Sequence, residues 1–205
     1  AANVEIQIQP TITPTAVAVD DIETSVTLTE AQAQAGGFLL DNAAQVNYNG
    51  AGNFNTGTLT VSYLSSTSRV DDQLGIRNQG TNPFQIGVSG SDITYGGTVI
   101  GSFTGGGAGS SLLTVTLNAN ATPLAVRVLA QNITYQNTAP PAGTTDRYVG
   151  FRVSDGDGGV SAAVNVEIQI QPSLTPAVLV VDDIESSVTL TESQAQAGGF
   201  VLDSA

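Results

Sequence analysis

Apolar and polar residues alternate with a period of two along most of this chain. The alternation is regular in six segments, which are residues 4–9, 25–29, 58–63, 113–117, 148–153 and 166–171. Such a period places every second side chain on one face of a β-strand, so we expect one face of each strand to lie in a core. The sequence Tyr-Gly-Gly-Thr at residues 95–98 predicts a tight hairpin. Many short strands separated by turns predict an all-β fold, and specifically a β-sandwich.

One segment departs from this alternation and predicts a helix. Thr122 occupies a position suited to an N-cap, Pro123 follows at the first helical position, and apolar residues then recur at helical spacing through Ala130. Proline is favoured at the first helical position because it has no N–H to leave unpaired there. We therefore expect one short helix, which crosses between the sheets.

The first 43 residues recur near the other end of the chain. Residues 1–43 match residues 163–205 at a constant offset of 162, and 32 of the 43 positions are identical. A match this long without insertion indicates tandem duplication. Two prolines in residues 9–14, and again in residues 171–176, predict stiff linkers. We therefore expect residues 1–14 to be the last strand of a preceding repeat plus its linker. Residues 15–176 would be one complete repeat with its linker, and residues 177–205 the start of the next, arranged head to tail.

The composition argues against several classes of function. The chain has no Cys and no His, and its 18 carboxylates against 5 cations give a formal net charge of −13. Because Lys is also absent, Ser-His, Cys-His and Schiff-base chemistry are excluded. A pair of carboxylates for glycoside hydrolysis stays formally open, but the acids lie mostly in turns, and we expect no enzyme. The charge disfavours nucleic acid, and no apolar stretch approaches the ~20 residues needed for membrane insertion.

The glycine-rich sequence Asp-Gly-Asp-Gly-Gly at residues 155–159 is the candidate metal site. Asp155 and Asp157 can bring carboxylate oxygens around one Ca²⁺, which takes six to eight oxygen ligands. Glu30 would add an oxygen if the strand at residues 25–29 ends at the same pole of the sandwich. The alternative is a polar hairpin turn with no metal. We also expect Tyr48 and Phe54, in an Asn- and Gly-rich loop, to be able to stack on a sugar ring.

Three segments together resemble a known family. Residues 147–176 (RYVGFRVSDGDGGVSAAVNVEIQIQPSLTP), residues 112–137 and residues 25–30 are similar to cadherin-like, proteoglycan-repeat-like modules that occur in tandem in giant bacterial surface adhesins. The resemblance implies an immunoglobulin/cadherin-like β-sandwich that is extracellular and often stiffened by Ca²⁺ between units. On this resemblance Asp155 matches the acidic glycine turn and Glu30 the Glu that closes an early strand. The family's Asp-x-Asn-Asp cluster before the linker proline is missing here, as is its Asp-Arg-Glu motif.

These features lead to an expected function outside the cell. We expect a structural repeat that forms a stalk, fibre or filament of a bacterial surface adhesin or biofilm matrix protein. Its partners would be neighbouring repeats of the same polypeptide, or identical subunits whose end segments 1–10 and 177–205 complete a neighbour's sheet by strand addition. Surface glycans are a further expected partner. The alternative function is a carbohydrate-binding accessory module of a secreted enzyme.

Overall fold

The structure is a computed structural model that describes residues 16–50, 52–64, 70–110, 112–140 and 142–172. The strand expected at residues 4–9, the first linker and the start of the next repeat lie outside the described residues. The elements in chain order are β1 (Val17–Asp20), β2 (Ser25–Thr29), α1 (Glu30–Ala35), β3 (Phe38–Leu39), β4 (Gln45–Tyr48), β5 (Thr58–Tyr63), β6 (Asp72–Ile76), β7 (Ile86–Ser89), β8 (Asp92–Tyr95), β9 (Thr98–Gly105), β10 (Leu112–Leu117), α2 (Pro123–Ala130), β11 (Ile133–Asn137), β12 (Arg147–Ser154) and β13 (Val164–Gln171).

Three sheets account for these strands. The largest has eight strands in the order β2-β13-β12-β5-β10-β9-β8-β7, and the smaller ones have the orders β3-β11-β6 and β1-β4. The side chains of β5 and β10 alternate between buried and partly exposed, as the sequence pattern predicts. The described residues are therefore mostly β, with few helices and several sheets, consistent with the expected all-β sandwich.

The expected strands and hairpin are confirmed where the structure describes them. The strands β2 and β5 have the predicted bounds, while β10, β12 and β13 begin one or two residues earlier than predicted. The chain turns at Gly96 and Gly97 between β8 and β9, and both glycines have positive φ angles, 58° and 82°. L-residues with side chains rarely adopt such angles, which explains the Gly-Gly pair.

The predicted helix is confirmed as α2. Its N-cap is Thr122, whose Oγ1 accepts a hydrogen bond from the Ala125 N–H, and Pro123 is its first residue. The helix follows β10 of the eight-stranded sheet and precedes β11 of the three-stranded sheet, so it carries the chain from one sheet to the other as expected.

A second helix, α1, corrects the expectation of only one. The Thr29 hydroxyl accepts a hydrogen bond from the Gln32 N–H, and the Gln32 side chain accepts one from the Thr29 N–H. This reciprocal capping box satisfies two donors at the helix start. Consequently β2 ends at Thr29 because a helix begins there. Among the described residues, no helix combines the length and apolar character that crossing a membrane requires.

The strands β1 and β2 carry the chain from one end of the unit to the other. Val17 pairs with Tyr48, whose ring lies 4.7 Å from that of Phe54, beside the turn that joins β12 to β13. At the opposite end of the unit, β2 runs parallel to β13, and Thr29 pairs with Gln171. We call the first region the entry end and the second the exit end. Because β13 has eight residues, its two ends are about 24 Å apart.

A buried polar cluster joins the eight-stranded sheet to the three-stranded one. Arg147 on β12 and Asp72 on β6 form an ion pair with an Nε–Oδ2 distance of 3.2 Å, and both side chains are fully buried. The Asp72 carboxylate also accepts hydrogen bonds from Tyr135 (2.7 Å) and Asn137 (2.6 Å) on β11. Nη1 of Arg147 donates to the main-chain oxygens of Gly143 and Thr145. This set of bonds offsets part of the cost of removing two charges from water, while Nη2 of Arg147 has no hydrogen-bond partner among the described residues.

We predict that Arg147→Met strongly destabilises the unit. Removing one member of a buried ion pair leaves the other charge without compensation, which costs about 3–5 kcal/mol. Arg152→Met is the matched control, because Arg152 lies on the same strand with its side chain exposed and should change stability by less than about 0.5 kcal/mol. Urea unfolding of both variants measures the difference. Equal stability of the two variants would contradict the assigned role of the pair.

We also predict that stability falls as the pH rises above about 10. Burial, and then the negative charge of Asp72, raise the pKa of Tyr63 well above its ordinary value of about 10. Burial, and then the hydrogen bond to Asp72, do the same for the pKa of Tyr135. A raised folded-state pKa gives stability that is present below the unfolded pKa and is lost as pH rises toward the folded pKa.

Unfolding free energies measured from pH 8 to 12 test this dependence. Each buried tyrosine contributes a slope of up to about 1.4 kcal/mol per pH unit above pH 10. Tyr63→Phe is the informative variant, because the Tyr63 hydroxyl has no hydrogen-bond partner within the described ranges. We expect this variant to show a shallower decline, and an unchanged slope would contradict the prediction.

Candidate functional site

The glycine-rich turn between β12 and β13 is organised around the carboxylate of Asp155. This side chain is fully buried, and its Oδ1 accepts hydrogen bonds from the N–H groups of Asp157 (2.9 Å) and Gly159 (2.8 Å). The Asp155 N–H donates in turn to the Gly159 carbonyl oxygen at 3.0 Å. A carboxylate that accepts two main-chain N–H groups holds a turn in one shape, and charge makes such hydrogen bonds stronger than neutral ones.

This turn packs closely against the loop that precedes β5. A Cβ on Gly156, which has a φ of 86°, would lie 2.2 Å from the Asn55 carbonyl oxygen. A Cβ on Gly57 would lie 2.3 Å from the Ser154 carbonyl oxygen. No side chain fits either gap, so both positions require glycine. The two glycines therefore let two main-chain turns meet at the entry end.

The structure separates Glu30 from Asp155 and Asp157. The expectation that the strand at residues 25–29 ends at the pole of the Asp155 turn is wrong, because β2 runs parallel to β13 and ends opposite Gln171. The Asp155 turn precedes β13, so Glu30 lies at the exit end, about 24 Å away along the strand. Glu30 is also the first residue of α1.

The expected calcium site is thereby reduced to Asp155 and Asp157. Ca²⁺ takes six to eight oxygen ligands, and no group of three or more acidic side chains suited to a metal occurs in the part of the chain that the structure describes. Oδ1 of Asp155 is already engaged by two N–H groups. These two hydrogen bonds hold residues 155–159 as a polar hairpin turn, which is the alternative interpretation given for this segment from the sequence.

The two loop aromatics have different environments. Phe54 is 0% exposed, so the expectation that it stacks on a sugar ring is wrong. Tyr48 is half-buried and lies beside a depression of about 280 Å³ that is lined by Ala16, Ala18, Asn47 and Asn49. Burial, and then the charges of Asp155 and Asp157, raise the pKa of the Tyr48 hydroxyl. Tyr48 therefore packs on Phe54 and presents one edge at the entry end.

A shallow groove on the outer face of the eight-stranded sheet is a site that the sequence analysis missed. It has a volume of about 400 Å³ and is lined by Thr58, Thr60, Arg152, Ser154 and Val160. Volumes of 300–1,000 Å³ are usual for small-molecule sites. In β12, Arg152 faces outward, opposite to Val149, Phe151 and Val153. Strand pairing places Thr58 and Thr60 of β5 beside it, and local sequence does not reveal that pairing.

Comparison of the sequence with models of known protein families gives no match, and comparison with curated proteins gives none either.

We predict that Asp155→Ala destabilises the unit by about 2–3 kcal/mol. The substitution removes the charged acceptor of two N–H groups, of which the Gly159 N–H is buried. Asp155→Asn keeps a carbonyl oxygen at that position and should cost about 1 kcal/mol. Asp157→Asn changes an exposed side chain and is the control, with less than about 0.5 kcal/mol expected.

The same unfolding experiments, repeated in calcium and in chelator, test the remaining metal ligands. We expect the midpoint to be the same in both, because Asp155 Oδ1 already accepts hydrogen bonds from two N–H groups of the turn. A ligand present at 100 times its Kd would instead add about 2.7 kcal/mol. A stabilisation of that size that disappears in Asp157→Asn would contradict our interpretation of the turn.

Proposed function

We propose that this chain is part of a structural, extracellular tandem-repeat protein, in which each unit is a spacer in a stalk or fibre of a bacterial surface adhesin or matrix protein. The observation that carries the proposal is the path of the chain through the unit. The chain enters beside Tyr48, where the Ala16 N–H donates to Asn49 Oδ1 at 2.8 Å, and leaves after Gln171 at the exit end. Units with entry and exit at opposite ends extend a chain when they are repeated.

The pairing of β2 with β13 gives this spacer a mechanical role. The two strands are parallel and in register from Ser25 opposite Glu167 to Thr29 opposite Gln171. Tension along a chain of units pulls β2 toward the entry end and β13 toward the exit end. The hydrogen bonds between them are then loaded together, in shear, and the unit resists extension until the whole set breaks.

The hydrogen bonds of this pair alternate along β2. The Glu167 N–H donates to the Thr24 carbonyl oxygen at 3.0 Å. In a parallel ladder this bond directs the main-chain groups of Val26 and Leu28 toward β13, while those of Thr27 point away from it. The strand therefore has one side that closes the unit and one side at the edge of the eight-stranded sheet.

The two edges of that sheet differ in a way that bears on assembly. At β7, the Asn78 side chain both donates to the Val88 oxygen (3.1 Å) and accepts from the Val88 N–H (3.2 Å). The Gln79 side chain accepts from the Ile86 N–H, and the Gln79 main-chain N–H donates to the Ile86 oxygen. These groups thus occupy the main-chain positions that a further strand would need. If separate subunits join by strand addition, we propose that the added strand pairs with β2.

The immunoglobulin/cadherin-like type is part of this proposal. A first strand that is divided between two sheets, and whose second part pairs in parallel with the last strand, supports it. The resemblance in residues 147–176 supports it as well.

We predict that Val26→Pro lowers the force needed to unfold the unit and that Thr27→Pro does so far less. Proline removes the N–H group. Of the two substituted residues, Val26 directs its N–H toward β13 and Thr27 directs its N–H away from it. Val26→Ala is the control for the lost side chain, which packs against the core. Single-molecule extension of a chain of repeats measures the three forces. Equal forces for Val26→Pro and Thr27→Pro would contradict the shear arrangement.

A further inference from the structure

Arg152 differs from the other arginines that the structure describes. Arg77 donates to Asn132 at 2.8 Å, Arg127 donates to Gln45 at 3.4 Å, and Arg147 is buried with Asp72. Arg152 makes no ion pair or side-chain hydrogen bond with any described residue, although the protein has 18 carboxylates. It is a charged donor that remains available to a ligand.

Hydroxyl groups on β5 and β12 line the groove together with Arg152. On the neighbouring strand β5, Thr60 lies opposite Arg152 and Thr58 lies opposite Ser154. The Oγ atoms of Thr58 and Ser154 are 3.1 Å apart, and the Ser154 Oγ also accepts from the Thr58 N–H. Among the residues that the structure describes, no carboxylate lines the groove. The hydroxyls are thus held in place by the sheet and ready to bond with polar groups of a ligand.

Apolar surface lies on both sides of these polar groups. Val160 is 50% exposed and borders the groove. Tyr148 is 38% exposed and lies on the same face of β12, four residues and about 14 Å from Arg152. The intervening outward position is Gly150, where the side chains of Asn165 and Leu64 lie 3.1 and 3.4 Å from the place that a Cβ would take. The Tyr148 hydroxyl donates to Glu167 Oε1 at 2.7 Å, which holds the ring in place.

We infer that this face is a binding site for a carboxylated sugar, with Arg152 bonding to the carboxylate of one uronate residue in an otherwise neutral glycan. A planar guanidinium matches a carboxylate with two parallel hydrogen bonds. Thr58, Thr60 and Ser154 supply partners for sugar hydroxyls. Val160 and the Tyr148 ring receive the apolar C–H faces of the neighbouring sugars. This activity goes beyond the spacer role and does not depend on it.

The net charge selects among acidic ligands. A protein with a formal charge of −13 repels a polyanion, so a glycan with a uronate in every position is a poorer ligand than one with a single uronate. An acidic segment of a second copy of the chain would also pair with the guanidinium, and the sedimentation experiment below distinguishes that occupant. A sugar with one carboxylate uses all the groups that line the groove.

Titration of the full 205-residue chain with two defined probes tests the inference. The first probe is a trisaccharide with one central glucuronate, and the second is the same trisaccharide with the carboxyl group reduced to an alcohol. We expect the acidic probe to bind with a Kd in the millimolar range or tighter, and the neutral one at least about tenfold more weakly. Binding is followed by backbone amide shifts, which should map to β5 and β12.

Three variants locate the site. Arg152→Gln should weaken binding of the acidic probe at least about tenfold and leave binding of the neutral probe unchanged. Arg152→Lys keeps the charge but loses the paired hydrogen bonds, so its affinity for the acidic probe should be intermediate. Thr104→Val alters an exposed residue of β9, three strands from Arg152 in the same sheet, and should bind like the unaltered chain. Unfolding of each variant checks that the fold is intact.

Three results would overturn the inference. The first is no saturable binding of the acidic probe up to about 10 mM, a concentration that reveals even weak sites. The second is equal binding of the two probes, or binding that Arg152→Gln does not change. The third is self-association in sedimentation that requires Arg152 and occurs without any sugar binding, which would assign the groove to a second copy of the chain.

Discussion

The buried ion pair between Arg147 and Asp72 is the contact on which the arrangement of the two larger sheets depends. It joins β12 in the centre of the eight-stranded sheet to β6 at the edge of the three-stranded sheet. Two charges taken out of water are costly unless their remaining donors and acceptors are satisfied. Here Tyr135 and Asn137 share the carboxylate, and two main-chain oxygens accept from the guanidinium. A shift of either sheet would break several of these bonds at once, so the pair specifies how the sheets face each other.

With the sheets held in this way, the ends of the unit acquire different roles. The entry end is closed by main-chain packing, in which the Asp155 turn meets the loop before β5 through Gly57 and Gly156. The exit end is closed by the parallel pairing of β2 and β13 and by α1, which begins where β2 stops. A chain that passes from one end to the other through a closed sandwich suits a spacer. The outer face of the large sheet stays exposed and is available for a ligand.

Local sequence patterns predicted much of the fold. The strands β2 and β5 and the helix α2 were predicted with the bounds that the structure gives them, because periodicity, the Thr122 cap and Pro123 are local signals. The helix α1 was missed, although the sequence Thr29-Glu30-Ala31-Gln32 has the form of a capping box. Its six residues follow the strand directly, and the alternating pattern of β2 concealed the change.

The candidate site was less predictable, because its geometry depends on strand direction and on partners distant in sequence. Glu30 was assigned to the pole of Asp155, and only the parallel pairing of β2 with β13 shows that it lies at the other end. In the structure, the alternation along β12 places Arg147 inward and Arg152 outward. Local sequence does not indicate that Asp72, 75 residues away, is the partner of Arg147, or that hydroxyls of β5 lie beside Arg152.

The central claim is that the unit extends a chain when it is repeated, and the most direct measurement is the solution size of chains with one, two, three and four complete units. Radii of gyration from small-angle X-ray scattering should grow nearly in proportion to the number of units, because each unit adds its length from the entry end to the exit end. A compact globule would instead grow with about the 0.38 power of chain length. Growth with that weaker power would contradict the account.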